Sequence, residues 1–194
     1  MAAQEVKGII FDCFGVLYVG SLQMLYDITP EARWNELHDL NVGSDYGYIG
    51  PDEYAEALAE LTGRSKAEII ELRMRKHIRN DALVEYAREL HKSYKVGLLS
   101  NVGPDLIERL FSEEERAELF DTVVLSSTEG IVKPNPHIFE LAAERLGLDP
   151  SECLMIDDLE KNIEGADAAG MRGIVYTNVE SLKTDLTRAL SGTL

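Results

Sequence analysis

The stretch from Val6 to Leu17, VKGIIFDCFGVL, constrains this chain more than any other. Val6, Ile9, Ile10 and Phe11 make a short apolar run rich in β-branched residues, the pattern of a strand buried on both faces. The run stops at Asp12, whose carboxylate is costly to bury unless something pairs with it. At the carboxyl end of a central parallel strand it would instead open into the crevice where α/β sheets bind ligands. Gly15 lets the backbone turn tightly just afterwards. The plainer reading makes Asp12 a helix cap or turn residue, and this stretch alone does not choose between the two.

From Ser21 to about Ser93 the pattern is helical, with readable punctuation. Thr29-Pro30 supplies an N-cap and a proline at the first helical position, opening EARWNELHDL. Gly50-Pro51 repeats the device before DEYAEALAELTG, which ends at Gly63. Ser65 and Glu68 form a capping box ahead of IIELRMRKHIR, and Asn80 caps a further helix, DALVEYARELHK. Then the period changes. Tyr94 to Ser100 reads as a strand ending in Ser100-Asn101, and helices follow over 104–111 and 112–120. Strands at 122–125, 153–156 and 173–176 alternate with a helix from Asn135-Pro136 to Gly147, the helical segment of Asn162, and a C-terminal helix. This alternation predicts an α/β fold, a Rossmann-like doubly wound parallel sheet. The helical block between the first two strands reads as an inserted small helical cap. The expected division is a core of 1–18 and 86–194 with a cap over 19–85.

Charge and cysteine content narrow the partners. With 194 residues and a formal net charge of −16, the chain is poorly suited to nucleic acid or to an anionic membrane surface. An anionic substrate would need local positive charge or a bound cation. Cys13 and Cys153 form no CxxC, so neither a disulfide framework nor a zinc site is expected. No basic n-region with a continuous apolar run and no membrane-length stretch appears, and the expected location is cytoplasmic.

Polar residues recur where strands end. Asp12 follows the first strand, Ser100-Asn101 the second and Asp157-Asp158 the fourth, while Lys133 lies in a loop after the third. Singly, each has a plain explanation as turn pair, surface lysine or helix cap. Parallel topology would bring all of them to one edge of the sheet. There Asp12 and Asp157 could share a hard divalent cation such as Mg²⁺ through oxygen ligands. Ser100, the Asn101 amide and Lys133 could hold the oxygens of a phosphoryl group.

With FDCFGVL, LLSN, VKPNPHIF and MIDDLEKNIEGA in this order, the sequence resembles the haloacid dehalogenase-like (HAD) hydrolase superfamily. It is most similar to the small-cap, epoxide-hydrolase N-domain-like and sugar-phosphate phosphatase branch. The resemblance implies a Mg²⁺-dependent phosphatase of a small phosphorylated metabolite, with Asp12 as nucleophile forming an aspartyl-phosphate. Asp12, Asp157 and the main-chain carbonyl of Phe14 would hold Mg²⁺, with Asp158 assisting. Ser100, Asn101 and Lys133 would bind the phosphoryl oxygens, and Lys133 would also offset carboxylate repulsion. Trp34, Tyr46 and Tyr48 fall in the cap, where the family places specificity residues, although packing within the cap accounts for them at least as well.

Position 14 departs from the pattern of most family phosphatases, which have an acid there for proton transfer, although some members of this branch also lack it and family dehalogenases carry Tyr. Phe14 can still offer its carbonyl to a metal, but it cannot protonate a leaving group or activate water. Unless another residue supplies the proton, good leaving groups should be favoured. Two alternatives follow: a 2-haloacid dehalogenase using Asp12 on carbon, or a non-catalytic phosphometabolite-binding homologue.

Overall fold

The computed structural model describes residues 5–19 and 21–191. Residues 1–4 and 192–194 of the expected core, and Gly20 of the expected cap, lie outside these. In chain order the elements begin with β1 (Gly8–Phe11), β2 (Tyr18–Val19), α1 (Ser21–Ile28), α2 (Trp34–Asp45), α3 (Pro51–Thr62) and α4 (Lys66–Lys76). Next come β3 (Ile78–Arg79), α5 (Asp81–Leu90), β4 (Lys95–Ser100), α6 (Leu106–Leu110), α7 (Glu113–Leu119) and β5 (Thr122–Leu125). The chain closes with α8 (Ser126–Glu129), α9 (Pro136–Leu146), β6 (Cys153–Asp157), α10 (Glu160–Ala168), β7 (Arg172–Val175) and α11 (Val179–Leu190).

The five-stranded sheet runs β5-β4-β1-β6-β7, with every neighbouring pair parallel. β1 is central and wholly buried, which accounts for its unbroken apolar sequence. Alternation along the strands then sorts side chains to two faces. Ile9 and Phe11 join Val96, Leu98 and Ile156 under α5 and α11, through Leu83, Leu182 and Leu186. Ile10 joins Leu99, Val124 and Met155 under α9 and α10, through Phe139 and Ala166. Helices on both faces make the doubly wound α/β architecture that the alternation predicts. Both cysteines are buried and free, and no helix among the described residues is long and apolar enough to cross a membrane.

The insertion has a core of its own. Met24, Leu25, Leu37, Tyr54, Leu58 and Ile69 from α1 to α4 bury one another. The Ser65–Glu68 capping box forms as the sequence suggests, and Gly63 ends α3 at φ 68°, where glycine avoids Cβ strain. The chain enters and leaves the cap side by side, through an antiparallel ribbon pairing Tyr18 with Arg79 and Val19 with Ile78. Sequence reasoning missed this ribbon, since two residues carry no period, and it also missed the short α8. The expected boundary at residue 85 falls inside α5, whose Leu83, Val84, Ala87 and Leu90 all join the main core. We place the end of the cap at Asn80, which ties α5 to the core: its side chain donates to the Val16 carbonyl (3.2 Å) and the Tyr176 hydroxyl (2.8 Å).

Candidate active site

Register puts the polar strand ends together. Phe11 lies opposite Leu98 on one side and Ile156 on the other, so Asp12 emerges beside Asp157 and near Ser100. Lys133 reaches in from the loop before α9, and its ammonium stands 2.8 Å from Asp12 Oδ1 and 2.6 Å from Asp157 Oδ2. It also donates to the Leu99 carbonyl at 3.1 Å, and the residue is only 3% exposed. A lysine this deep is retained only with its charge satisfied, as these three acceptors do.

The carboxylates are held in different ways. Asp12 Oδ1 also accepts from the Cys13 N–H at 2.7 Å. Asp157 is anchored by the Leu159 N–H at 2.9 Å and by the Asn162 side chain at 2.9 and 3.0 Å. Asp158 completes the set, with one oxygen from each of the three carboxylates lying within 4.8 Å of the others. Its Oδ1 is buried and has no hydrogen-bond partner, and neither has the Oγ of fully buried Ser100. Such orphaned atoms are rare because they forfeit solvation without return. Three carboxylates with an unsatisfied oxygen are the donor set of a hard divalent cation, so these residues fit Mg²⁺.

Burial pushes the Asp12 carboxyl up to about 7, Asp157 pushes the same way, and Lys133 opposes both. For Lys133, burial favours the neutral amine, but Asp12 and Asp157 outweigh it and hold the ammonium above its ordinary range. Burial and the neighbouring Asp157 also raise Asp158. The cluster gathers negative charge that a buried cation offsets only in part.

Asn101 sits at the site but faces elsewhere. Its amide donates to the Lys133 carbonyl at 3.0 Å and accepts from the Lys133 N–H at 2.8 Å. The side-chain amide is thus engaged in fixing the lysine loop. Phe14 follows Asp12 in a tight turn, its ring packed on buried His77 at 5.3 Å between centroids. Gly15 has φ 93°, and a Cβ there would lie 2.3 Å from the Asp158 carboxyl. Gly15→Ala is therefore expected to cost about 1–3 kcal/mol from backbone strain alone. It should also displace Asp158. Equilibrium denaturation checks this, and an unchanged midpoint would show that the turn can relax.

The cap closes over this edge. Ser126 Oγ donates to the Asp45 carbonyl at 2.6 Å and accepts from the Val102 N–H at 3.0 Å, bridging α2 to the loop after β4. The contact leaves no spare room. A Cβ on Gly103 would come 2.1 Å from Ser44 Oγ, and one on Gly47 would come 2.3 Å from the Ser127 carbonyl oxygen. Beside it lies a cleft of about 300 Å³ lined by Tyr54, Arg73, Met74, Pro104 and Arg109 among others. Trp34, Tyr46 and Tyr48, for which cap packing is the plainer reading, do not line it. Trp34 is tied to the Tyr26 and Thr29 carbonyls, and the Tyr46 and Tyr48 rings stack on each other at 5.4 Å. Sequence reasoning missed Ser126 and Arg73, for which no local pattern signals a site.

Comparison with known proteins places the fold and the family. The family model described as "haloacid dehalogenase-like hydrolase" matches residues 6–170. The D-ribitol-5-phosphate phosphatase of Bacteroides thetaiotaomicron is 26% identical over 211 residues, covering 96% of this chain and 99% of that protein. A HAD family enzyme from the same organism superposes with TM-score 0.81 at 22% identity, covering 94% of this chain and 99% of that one. Its complex with magnesium and inorganic phosphate gives TM-score 0.75 at 21% identity, covering 91% and 98%. The L-2-haloacid dehalogenase of Xanthobacter autotrophicus also shares the fold, with TM-score 0.63 at 20% identity over 94% of this chain and 82% of that one. With a family model spanning most of its length, the chain belongs to the haloacid dehalogenase-like hydrolases.

Proposed function

We propose that the protein is a phosphatase of small phosphorylated metabolites in which Asp12 attacks phosphorus and forms an aspartyl-phosphate. One observation carries this reading. The buried carboxylates of Asp12 and Asp157 and the half-buried one of Asp158 cluster with a buried lysine and with two polar atoms, Ser100 Oγ and Asp158 Oδ1, that have no partner. A divalent cation and a phosphoryl group would complete both deficits. The phosphatase relative and the magnesium and phosphate complex of the structural neighbour support it.

In this reading Asp12, Asp157, Asp158 and the Phe14 carbonyl hold Mg²⁺, which when bound neutralises and orients the phosphoryl oxygens. Lys133 and Ser100 bind those oxygens directly. Asn101 fixes Lys133, and Asn162 keeps Asp157 from turning. The retained acid cluster disfavours the dehalogenase alternative, because a 2-haloacid brings its own carboxylate and carbon–halide displacement uses no metal.

Activity on a panel of phosphorylated metabolites is expected to require Mg²⁺ and to vanish in excess chelator. Full activity in chelator, or metal-independent halide release, would reject the reading, and binding without turnover would favour the non-catalytic alternative. Asp158 isolates the metal better than Asp157, which also anchors Lys133. Asp158→Asn should weaken Mg²⁺ binding about 10–100-fold, read by the magnesium-dependent rise in melting temperature. An unchanged Mg²⁺ titration would remove Asp158 from the site.

A further inference from the structure

The site as built lacks a proton carrier. Phe14 has none to give, Lys133 is committed to two carboxylates, and Asp12 is the nucleophile. His77 packs on Phe14, but burial and Arg73 lower it to about 4, so it holds no spare proton near neutrality. Asp52 and Asp105 line the cleft, whereas Asp45 of the cap docks through Ser126 against the loop that follows Ser100-Asn101.

We propose that Asp45, at the end of α2, is the proton-transferring carboxyl of this enzyme, delivered by the cap in place of the acid missing at position 14. This inference rests on the phosphatase reading. Three observations place the group. Its main chain is clamped to the core by Ser126, the residue that also holds the Val102 N–H just past Ser100-Asn101. The flanking Ser44 and Gly47 meet Gly103 and Ser127 too closely for a Cβ at either glycine, so the docking geometry is tightly set. Its carboxyl is half-buried, is engaged by no hydrogen bond or ion pair among the described residues, and lies within electrostatic reach of the Lys133 ammonium.

Its protonation suits the task. Burial pushes Asp45 up to about 6, with Lys133 pulling down, so acid and base forms are both accessible near neutrality. The other titratable group facing it is Tyr54 of α3, which burial raises to about 12 and which therefore stays neutral. In the first step an Asp12 oxygen bonds to phosphorus, the ester P–O bond breaks, and Asp45 gives its proton to the departing oxygen. In the second, Asp45 as carboxylate takes a proton from the water that attacks phosphorus. The Asp12–phosphorus bond then breaks, leaving inorganic phosphate and the free Asp12 carboxylate.

The test compares wild type, Asp45→Asn and Asp45→Glu with Mg²⁺ on 4-nitrophenyl, phenyl and butyl phosphate. The parameter read is kcat/KM, which covers steps only through Asp12 attack. The amide should cost roughly 10²–10⁴-fold on butyl phosphate, whose leaving group needs the proton, and under about tenfold on 4-nitrophenyl phosphate. The mutant should also show a burst of nitrophenol, because hydrolysis of the intermediate loses its base, and glutamate should restore part of the butyl phosphate rate. Equal losses on all three esters, at an unchanged melting temperature, would make Asp45 structural and overturn the proposal. So would no loss at all. Wild type inactive on every ester would overturn the phosphatase reading and take this role with it, an outcome distinct from active wild type with an indifferent mutant.

Discussion

Replacing Asp12 with asparagine is expected to remove turnover while leaving the fold intact. The carboxamide is nearly isosteric, and its oxygen can still accept from the Cys13 N–H and from Lys133, the two groups that now hold Oδ1 at 2.7 and 2.8 Å. What it lacks is a nucleophilic oxygen anion. The loss in kcat should be on the order of 10⁵–10⁶-fold, the scale seen when a covalent nucleophile is deleted from a hydrolase. Circular dichroism and Mg²⁺-dependent phosphate release, with deamidation excluded by mass spectrometry, check both halves. A variant retaining more than a few per cent of wild-type turnover would show that the nucleophile lies elsewhere.

Lys133→Ala should be the most destabilising single change in the site. It removes a buried ammonium and leaves Asp12 and Asp157 facing each other without the cation that now touches both. Breaking a buried ion pair from one side costs about 3–5 kcal/mol. At this chain length each kcal/mol moves the melting temperature by roughly 2–4 °C. The sign of the pH dependence follows from Asp12, already raised in the wild type by burial to about 7 with Lys133 opposing. Without the lysine that carboxyl rises further, so the folded state binds more protons than the unfolded chain between the ordinary carboxylate range and above pH 7. Stability must then fall as pH rises through that window. Measured in chelator, the defect should be larger at pH 8 than at pH 5. A small, pH-independent loss would mean that Lys133 behaves as an ordinary surface lysine despite its burial.

Much of the fold and of the site is legible in the sequence, and the reason is chemical contrast. Asp12, Ser100 and Asp157 each terminate an apolar strand, so a change of polarity along the chain marks the edge of the sheet. Pro51, Ser65 and Asn80 likewise announce local geometry through single residues, whereas Thr29-Pro30 opens only a short 3₁₀ turn and α2 begins at Trp34 without a side-chain cap. The placement of Lys133 between two carboxylates follows from that edge once parallel pairing is granted. Contacts set by tertiary docking are hidden. Ser126 looks like any serine after a strand, and its bridge to Asp45 exists only because the cap folds back onto it. The amide of Asn101 cannot be assigned from sequence to either a ligand or the Lys133 backbone, since both lie at the same strand end. The cap boundary slips into α5 because an amphipathic helix looks the same whichever core its apolar stripe meets.

The position of β1 at the centre of the sheet also governs how the protein is made. Its residue Gly8 pairs with Lys95 on one side and Cys153 on the other. The segment GIIF therefore leaves the ribosome before either neighbour and cannot acquire both until β6 has been synthesised. Through that interval a fully apolar strand, flanked by the Asp12 carboxylate, has no native partner on one edge. Long-range parallel pairing of this kind closes slowly, and unpaired apolar edges invite association with other chains. The native cluster of charges is therefore assembled only once β6 has paired, and until then GIIF is the segment most open to association with other chains.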